Sequence, residues 1–326
     1  MKTDPATGAL APFDFSSIYD EFPALRSLDI SIDVCPFEPI DSSNVTPELW
    51  TRLAEIIRDK YAQYDGFVVL HGTDTMSFSA SALSYALQNL DKPVVFTGSQ
   101  IPIGVMRTDG RENLITAIEL AAARLDGKPA VPEVSLYFQN KLFRGNRTSK
   151  FSAEEFGAFR SENYSALAEV GVSIHYNKPY ILRPEKETKE LSVCTRFDPN
   201  VVIIKVFPGL AEKTLRAMLG IEGIKGVVLE TYGSGNAPTA QWFLDALRET
   251  IGRGVVVVNV TQCPSGSVDM ELYETGMRMQ QVGVVSGSDM TTEAAVTKLM
   301  YLAGLNLSQN ELAAQLKRSV RGEITE

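Results

Sequence analysis

Short apolar runs alternate with stretches that place an apolar residue at every third or fourth position, and that alternation sets the plan of the chain. Residues 67–70, 93–96 and 134–138 are too brief for helices and predict buried parallel strands. Between and around them lie helical patterns. Residues 47–59 carry Leu49, Leu53, Ile56 and Ile57 on one face, residues 76–90 are small and apolar, and residues 109–125 repeat Leu114, Ile115, Ile118, Ala121 and Ala122. Residues 28–34 alternate apolar with polar, as a strand with one wet face does. Residues 1–12, spaced by Gly and Pro, read as an exposed loop. The second half repeats the rhythm, with strands expected at 201–206, 226–229 and 255–260 and helices at 240–251 and 291–302. From 176 to 200 the pattern breaks: Pro179, Pro184 and the run from Glu185 to Glu190 have no apolar face. The expected fold is α/β in two α/β domains. A doubly wound, mostly parallel sheet forms the N-terminal domain, 1–182, a linker spans 183–199, and a smaller α/β domain spans 200–326.

In open α/β sheets ligands sit beyond the carboxyl ends of strands, so the residues that close each apolar run are the first candidates for chemistry. His71-Gly72-Thr73-Asp74-Thr75 supplies two hydroxyls and a carboxylate at such an end, and Thr97-Gly98-Ser99 closes the next strand in the same way. Asp41-Ser42-Ser43 precedes the helix at 47–59. By residue type alone both the Thr-Asp-Thr and the Asp-Ser-Ser turns are equally helix caps. The stretch 139–150 carries Lys141, Arg144, Arg147 and Lys150, which composition assigns to a solvated surface. Gly233-Ser234-Gly235 hints at a dinucleotide loop, but Pro238 stands where the third glycine should allow close packing.

Composition narrows the classes. With 326 residues and 44% hydrophobic content the chain can fill two cores. A net charge of −9 and a pI near 5.0 disfavour nucleic acid as a partner. Cys35, Cys194 and Cys263 are odd in number and widely spaced, which points to reduced thiols in a cytosolic compartment. No apolar run approaches the roughly 20 residues of a membrane helix, and the first residues lack the apolar core of a signal peptide. Two isolated histidines, His71 and His175, predict no metal site.

Several long motifs in order carry a resemblance over nearly the whole chain. His-Gly-Thr-Asp-Thr-Met at 71–76, Ile-Asp-Ser-Ser-Asn at 40–44, Phe-Thr-Gly-Ser-Gln-Ile-Pro at 96–102, Leu-Phe-Arg-Gly-Asn-Arg-Thr-Ser-Lys at 142–150, Tyr-Gly-Ser-Gly-Asn-Ala-Pro at 232–238 and Asn-Val-Thr-Gln-Cys at 259–263 together resemble the bacterial L-asparaginases, most of all the cytoplasmic type I branch. The resemblance implies hydrolysis of L-asparagine to L-aspartate and ammonia, with no cofactor, in a cytoplasmic homodimer or homotetramer. It implies that Asp41, Ser42 and Ser43 hold the substrate's α-carboxylate end. Asp74 takes the α-ammonium, and Thr73, Asp74 and Lys150 form a hydroxyl, carboxylate and amine relay. In that family a first strand ending in Thr-Gly-Gly-Thr-Ile-Gly supplies a threonine nucleophile, and nothing in this sequence matches it. The chain is therefore expected to fold poorly and to be inactive until that strand is supplied. Two alternatives stay open: a non-catalytic amino-acid binder, and the asparaginase-like subunit of a tRNA-dependent amidotransferase. Some cytoplasmic relatives bind an asparagine effector through an Arg just before the Tyr-Gly-x-Gly-Asn-Ala-Pro stretch. Here the matching position is Glu230, and a carboxylate there would repel the effector.

Overall fold

The computed structural model describes residues 2–3, 10–11, 18–35, 37–183 and 189–325. The chain divides into two compact units. Met1–Ala80, Leu87–Ser161 and Ser165–Val193 form the first, and Ser81–Ala86, Glu162–Tyr164 and Cys194–Glu326 the second.

The first unit is built on a six-stranded sheet. Its parallel part consists of β1 (Phe67–Leu70), β2 (Val94–Thr97) and β3 (Val134–Phe138), paired β1 to β2 and β2 to β3. A meander of β4 (Lys141–Arg144), β5 (Ala168–Val170) and β6 (Ile174–Tyr176) extends it with antiparallel pairings. The βα alternation predicts the parallel part, and the meander is what the tight 139–140 turn adds: Gln139 and Asn140 both adopt positive φ, which reverses the chain directly into β4. The helices α1 (Pro47–Lys60), the start of α2 (Met76–Ala86) and α3 (Gly110–Ala122) belong here, with a single helical turn at Ile18–Glu21. Leu114 and Ile118 of α3 share one apolar cluster with Ile18, Phe22, Leu25 and Val68, and this packing holds α3 against β1 and β2.

The second unit carries a four-stranded parallel sheet in the order β7 (Val201–Lys205), β8 (Gly226–Thr231), β9 (Val256–Thr261) and β10 (Val285–Ser286). The two central strands are buried almost throughout because helices cover both faces. On one side α4 (Glu212–Leu219) and α5 (Gln241–Gly252) bring Leu215, Phe243 and Leu247 onto Val227, Leu229 and Val257, and α6 (Glu274–Gln281) adds Met279 to the same cluster. On the other, α7 (Thr292–Gly304) packs on β8 and α8 (Gln309–Leu316) on β9. The chain beyond α8 folds back. Lys298, fully buried, pairs with fully buried Glu323 at 2.6 Å and donates to the carbonyls of Leu316 and Arg318. Glu323 in turn accepts the N–H groups of Val320 and Arg321, so the charges and the turn satisfy one another.

Four expectations change. Residues 28–34 form no strand: Leu28, Ile30 and Ile32 pack on the α3 cluster with the expected alternation, but β1 has a ladder partner on one side only among the described residues, and a strand without a partner ladder is not one. Lys2–Thr3 pairs with Leu10–Ala11, so the expected loop at 1–12 contains a short antiparallel ladder, and its other residues lie outside the described ones. The expected helix at 76–90 stops at Ala86, because Leu87–Gln88 pairs with Ser192–Val193. The basic stretch at 139–150 is not a solvated surface, since Arg144 and Arg147 are buried and Arg144 bonds the buried Glu133 at 2.6 Å. Of the expected linker, residues 184–188 lie outside the described residues. Among the described residues no helix is long and apolar enough to cross a membrane.

Candidate active site

The turn after β1 is held from three sides. His71 N–H donates to the Thr97 carbonyl and carries the β1–β2 ladder one step beyond the last strand residue. Thr75 hydroxyl donates to the Ser42 carbonyl at 2.7 Å, tying the turn to the short 3₁₀ turn Ser42–Asn44. That turn is capped by Asp41, whose Oδ1 accepts from the N–H and the hydroxyl of Ser43 at 2.9 and 2.8 Å. These two bonds from Ser43 hold the Asp41 carboxyl below its ordinary pKa. Gly72 lies so close to Ser42 that a Cβ there would sit 2.5 Å from the Ser42 hydroxyl oxygen, so only glycine allows the two turns to meet. Ser42 itself is buried, and among the described residues its hydroxyl has no hydrogen-bond partner.

Lys150 reaches this turn from a distant part of the sequence. It lies in a short antiparallel ladder, Ser149–Lys150 with Phe159–Arg160. Its ammonium donates to Thr73 Oγ1 at 2.8 Å and to Asp74 Oδ1 at 2.6 Å. The lysine side chain is 20% exposed and the Asp74 side chain 63%, so one end of the pair is sheltered and the other open to a ligand. Thr73 passes its own hydrogen to Gln100 Oε1 at 3.2 Å. The Gln100 amide is oriented by its NH₂ group, which donates to the carbonyls of Ser152 and Glu155 at 3.4 and 3.1 Å. Beneath it the Asp109 carboxylate accepts from the N–H groups of Gln100 and Ile101 and from the Asn113 amide. A hydroxyl, an amine and a carboxylate in mutual contact can move a proton to or from an attacking oxygen, and the exposed carboxylate can hold a cation.

The structure brings Thr73, Asp74 and Lys150 together and sets Ser42 against Gly72 beside them. Asp41 and Ser43 are spent on each other, and the Ser43 hydroxyl is not free for a ligand. Sequence reasoning gives no role to Gln100, which sits in the motif at 96–102 three residues past the end of β2, nor to the His71, Ser79 and Trp50 side chains under the turn. The polar Gln in an otherwise small-residue turn is the available signal for the first. A Trp on the mostly polar α1 is the signal for the others.

The family model described as "Asparaginase, N-terminal" matches residues 1–182, and that described as "Glutaminase/Asparaginase C-terminal domain" matches residues 200–316. The chain belongs to the asparaginase family. This asparaginase-family chain is 44% identical to L-asparaginase 1 of Escherichia coli over 287 residues, 88% of its own length and 82% of the relative's. It is also 44% identical over 305 residues to the 60 kDa lysophospholipase of Mus musculus, covering 93% of the chain but 53% of the relative, so it spans about half the length of that protein. A glutamyl-tRNA(Gln) amidotransferase subunit from Methanopyrus kandleri is 31% identical, with 99% of the chain and 72% of that relative covered. Among solved structures, L-asparaginase I from Vibrio cholerae matches with a TM-score of 0.81 at 41% identity, covering 88% of this chain and 84% of that one. The thermostable L-asparaginase from Thermococcus kodakarensis matches with a TM-score of 0.89 at 34% identity, covering 100% and 95%.

Proposed function

We propose that this family member hydrolyses L-asparagine to L-aspartate and ammonia, and the observation that carries the reading is the Lys150 ammonium bridging the Thr73 hydroxyl and the Asp74 carboxylate. Asp74 takes the substrate's α-ammonium, while Ser42 and nearby N–H groups take its α-carboxylate. Thr73 and Lys150 pass the proton of the attacking hydroxyl on to the departing ammonia, and Asp74 balances the charge on the lysine. The first attack belongs to a threonine on a strand ending in Thr-Gly-Gly-Thr-Ile-Gly, and Thr73 completes the relay. The site residues are thus Asp41, Ser42, Ser43, Thr73, Asp74 and Lys150, with Asp41 and Ser43 shaping the Ser42 turn. No cofactor takes part. The catalytic domain is 1–182 and the smaller domain 200–326, joined by 183–199, in a cytoplasmic homodimer or homotetramer.

The test compares residues 1–326 with the same chain preceded by an apolar strand ending in Thr-Gly-Gly-Thr-Ile-Gly. Ammonia release from asparagine is expected in the extended protein alone. Release from neither asparagine nor glutamine in both proteins overturns the reading. A second reading is an amino-acid binder without turnover. It requires aspartate or asparagine to bind both proteins with no ammonia released. The similarity to an amidotransferase subunit supports a third, which requires binding to tRNA-bearing partners that a chain of net charge −9 disfavours.

A further inference from the structure

Three side chains beneath the turn form a closed arrangement of protons. Trp50 on α1 can only donate, and its indole N–H lies 2.9 Å from the Ser79 hydroxyl oxygen. That oxygen is 2.9 Å from His71 Nε2, and His71 Nδ1 is 2.7 Å from the carbonyl oxygen of Gly72. A carbonyl can only accept, so Nδ1 carries the hydrogen. In a neutral ring Nε2 then offers a lone pair and takes the Ser79 hydrogen, which leaves the Ser79 oxygen free to accept from Trp50. Each proton has one place. Ser79 is fully buried and Trp50 nearly so, and burial lowers the imidazole's pKa, which favours the neutral ring.

The ring holds one particular peptide. No peptide bond in the described residues is cis, so the Gly72 carbonyl and the Thr73 N–H point in opposite directions. Anchoring the carbonyl to His71 turns the Thr73 N–H away from the ring, and no acceptor among the described residues takes it. The Thr73 side chain is fixed separately, by Lys150 and Gln100. We infer that His71 is a positioning residue, held in its Nδ1–H form by Ser79 and Trp50, that sets the Gly72–Thr73 peptide so that the Thr73 N–H and hydroxyl face the substrate amide together. The inference rests on the reading above, in which Thr73 meets substrate.

Two readouts test it. The first needs no turnover: ¹⁵N-histidine spectra of the full chain, with His175→Gln assigning the only other histidine. His71 is expected to show a protonated Nδ1 and an unprotonated Nε2 at neutral pH, and the reverse pattern overturns the inference. The second uses two variants that separate the ring's two bonds. The amide N–H of His71→Asn reaches where Nδ1 was and keeps the Gly72 bond, whereas His71→Gln reaches towards Ser79 and loses it. In the strand-completed enzyme His71→Gln is expected to lower kcat about 10- to 100-fold with KM held within about threefold, while His71→Asn keeps kcat within about threefold. The Thr73 amide should shift and exchange faster in His71→Gln only. Equal losses in both variants, or an unmoved Thr73 amide in both, reduce His71 to a packing role and overturn the inference. An unsubstituted enzyme that releases no ammonia refutes the asparaginase reading instead, and leaves the tautomer and amide results to judge His71.

Discussion

Lys150 satisfies two partners with one ammonium group, and nothing else among the described residues bonds the Thr73 hydroxyl as a donor. Lys150→Met in a strand-completed enzyme is expected to lower turnover by at least ~10²-fold, the lower end for loss of a general base, because the thioether keeps the length of the stem but moves no proton. Thermal unfolding should barely move, since the partner carboxylate is open to water and such pairs contribute little to stability. Wild-type turnover in that variant would return Lys150 to the surface role that composition suggests. Composition alone does not separate Lys150 from Lys141, Arg144 and Arg147, which stand at every third position of one stretch. What separates them is depth: two are buried beside β3 and one faces Thr73, and depth depends on residues far away in the chain. His71 carries a pH signature. Its folded pKa is lowered by burial, so the unfolded chain binds more protons just below the ordinary value of 6.5, and stability falls as pH drops from there through the folded pKa. Urea unfolding from pH 7 to pH 5 should show this slope, and His71→Asn should flatten it. An identical slope in both proteins would show that the ring does not titrate this way.

The elements most legible in the sequence are those whose partners are close in the chain. The strands β1, β2, β8 and β9 fall within a residue or two of their apolar runs, and α1 begins at Pro47, as its sequence announces. Elements that depend on a distant partner are not legible. The alternation at 28–34 does mark one apolar and one wet side, yet that pattern specifies a face and not a hydrogen-bond ladder. The early end of α2 follows from residues more than a hundred positions later, which pair with Leu87–Gln88. Local signals do fix α8. Ser308 accepts from the Glu311 N–H while the Glu311 side chain accepts from Ser308, a reciprocal capping box. Ser308→Ala should cost about 1 kcal/mol in urea unfolding, the usual loss for an N-cap hydroxyl. A change below a few tenths would mean that packing of Leu312 and Leu316 alone holds the helix.

On the scale of the whole molecule, the family resemblance makes both halves legible through motifs, while the division of the chain is harder to see. Ser81–Ala86 and Glu162–Tyr164 belong to the second unit although they lie deep within the first half of the sequence. Their apolar or polar character carries no label of the unit they join. Regulation is an expectation at this scale. Glu230 accepts from the Thr292 hydroxyl at 2.6 Å and lies 3.7 Å from the Lys205 ammonium, so its carboxylate is already engaged where an effector carboxylate would need a cation. The substrate dependence of the completed enzyme should therefore be hyperbolic; a sigmoidal curve that Glu230→Ala abolishes would show the opposite. The Lys298–Glu323 pair has a different consequence, one for the protein's lifetime. Glu323 lies past residue 316, where the match to the C-terminal family model stops. A cut between 318 and 323 would strand an ammonium in the interior, a loss of ~3–5 kcal/mol out of the ~5–15 that typical domains possess. The segment after α8 should thus resist digestion in a protein of residues 1–326. Carboxypeptidase should nibble the last residues and then stall, and a chain shortened to residue 318 should be cleared by proteases far sooner than one ending at 325.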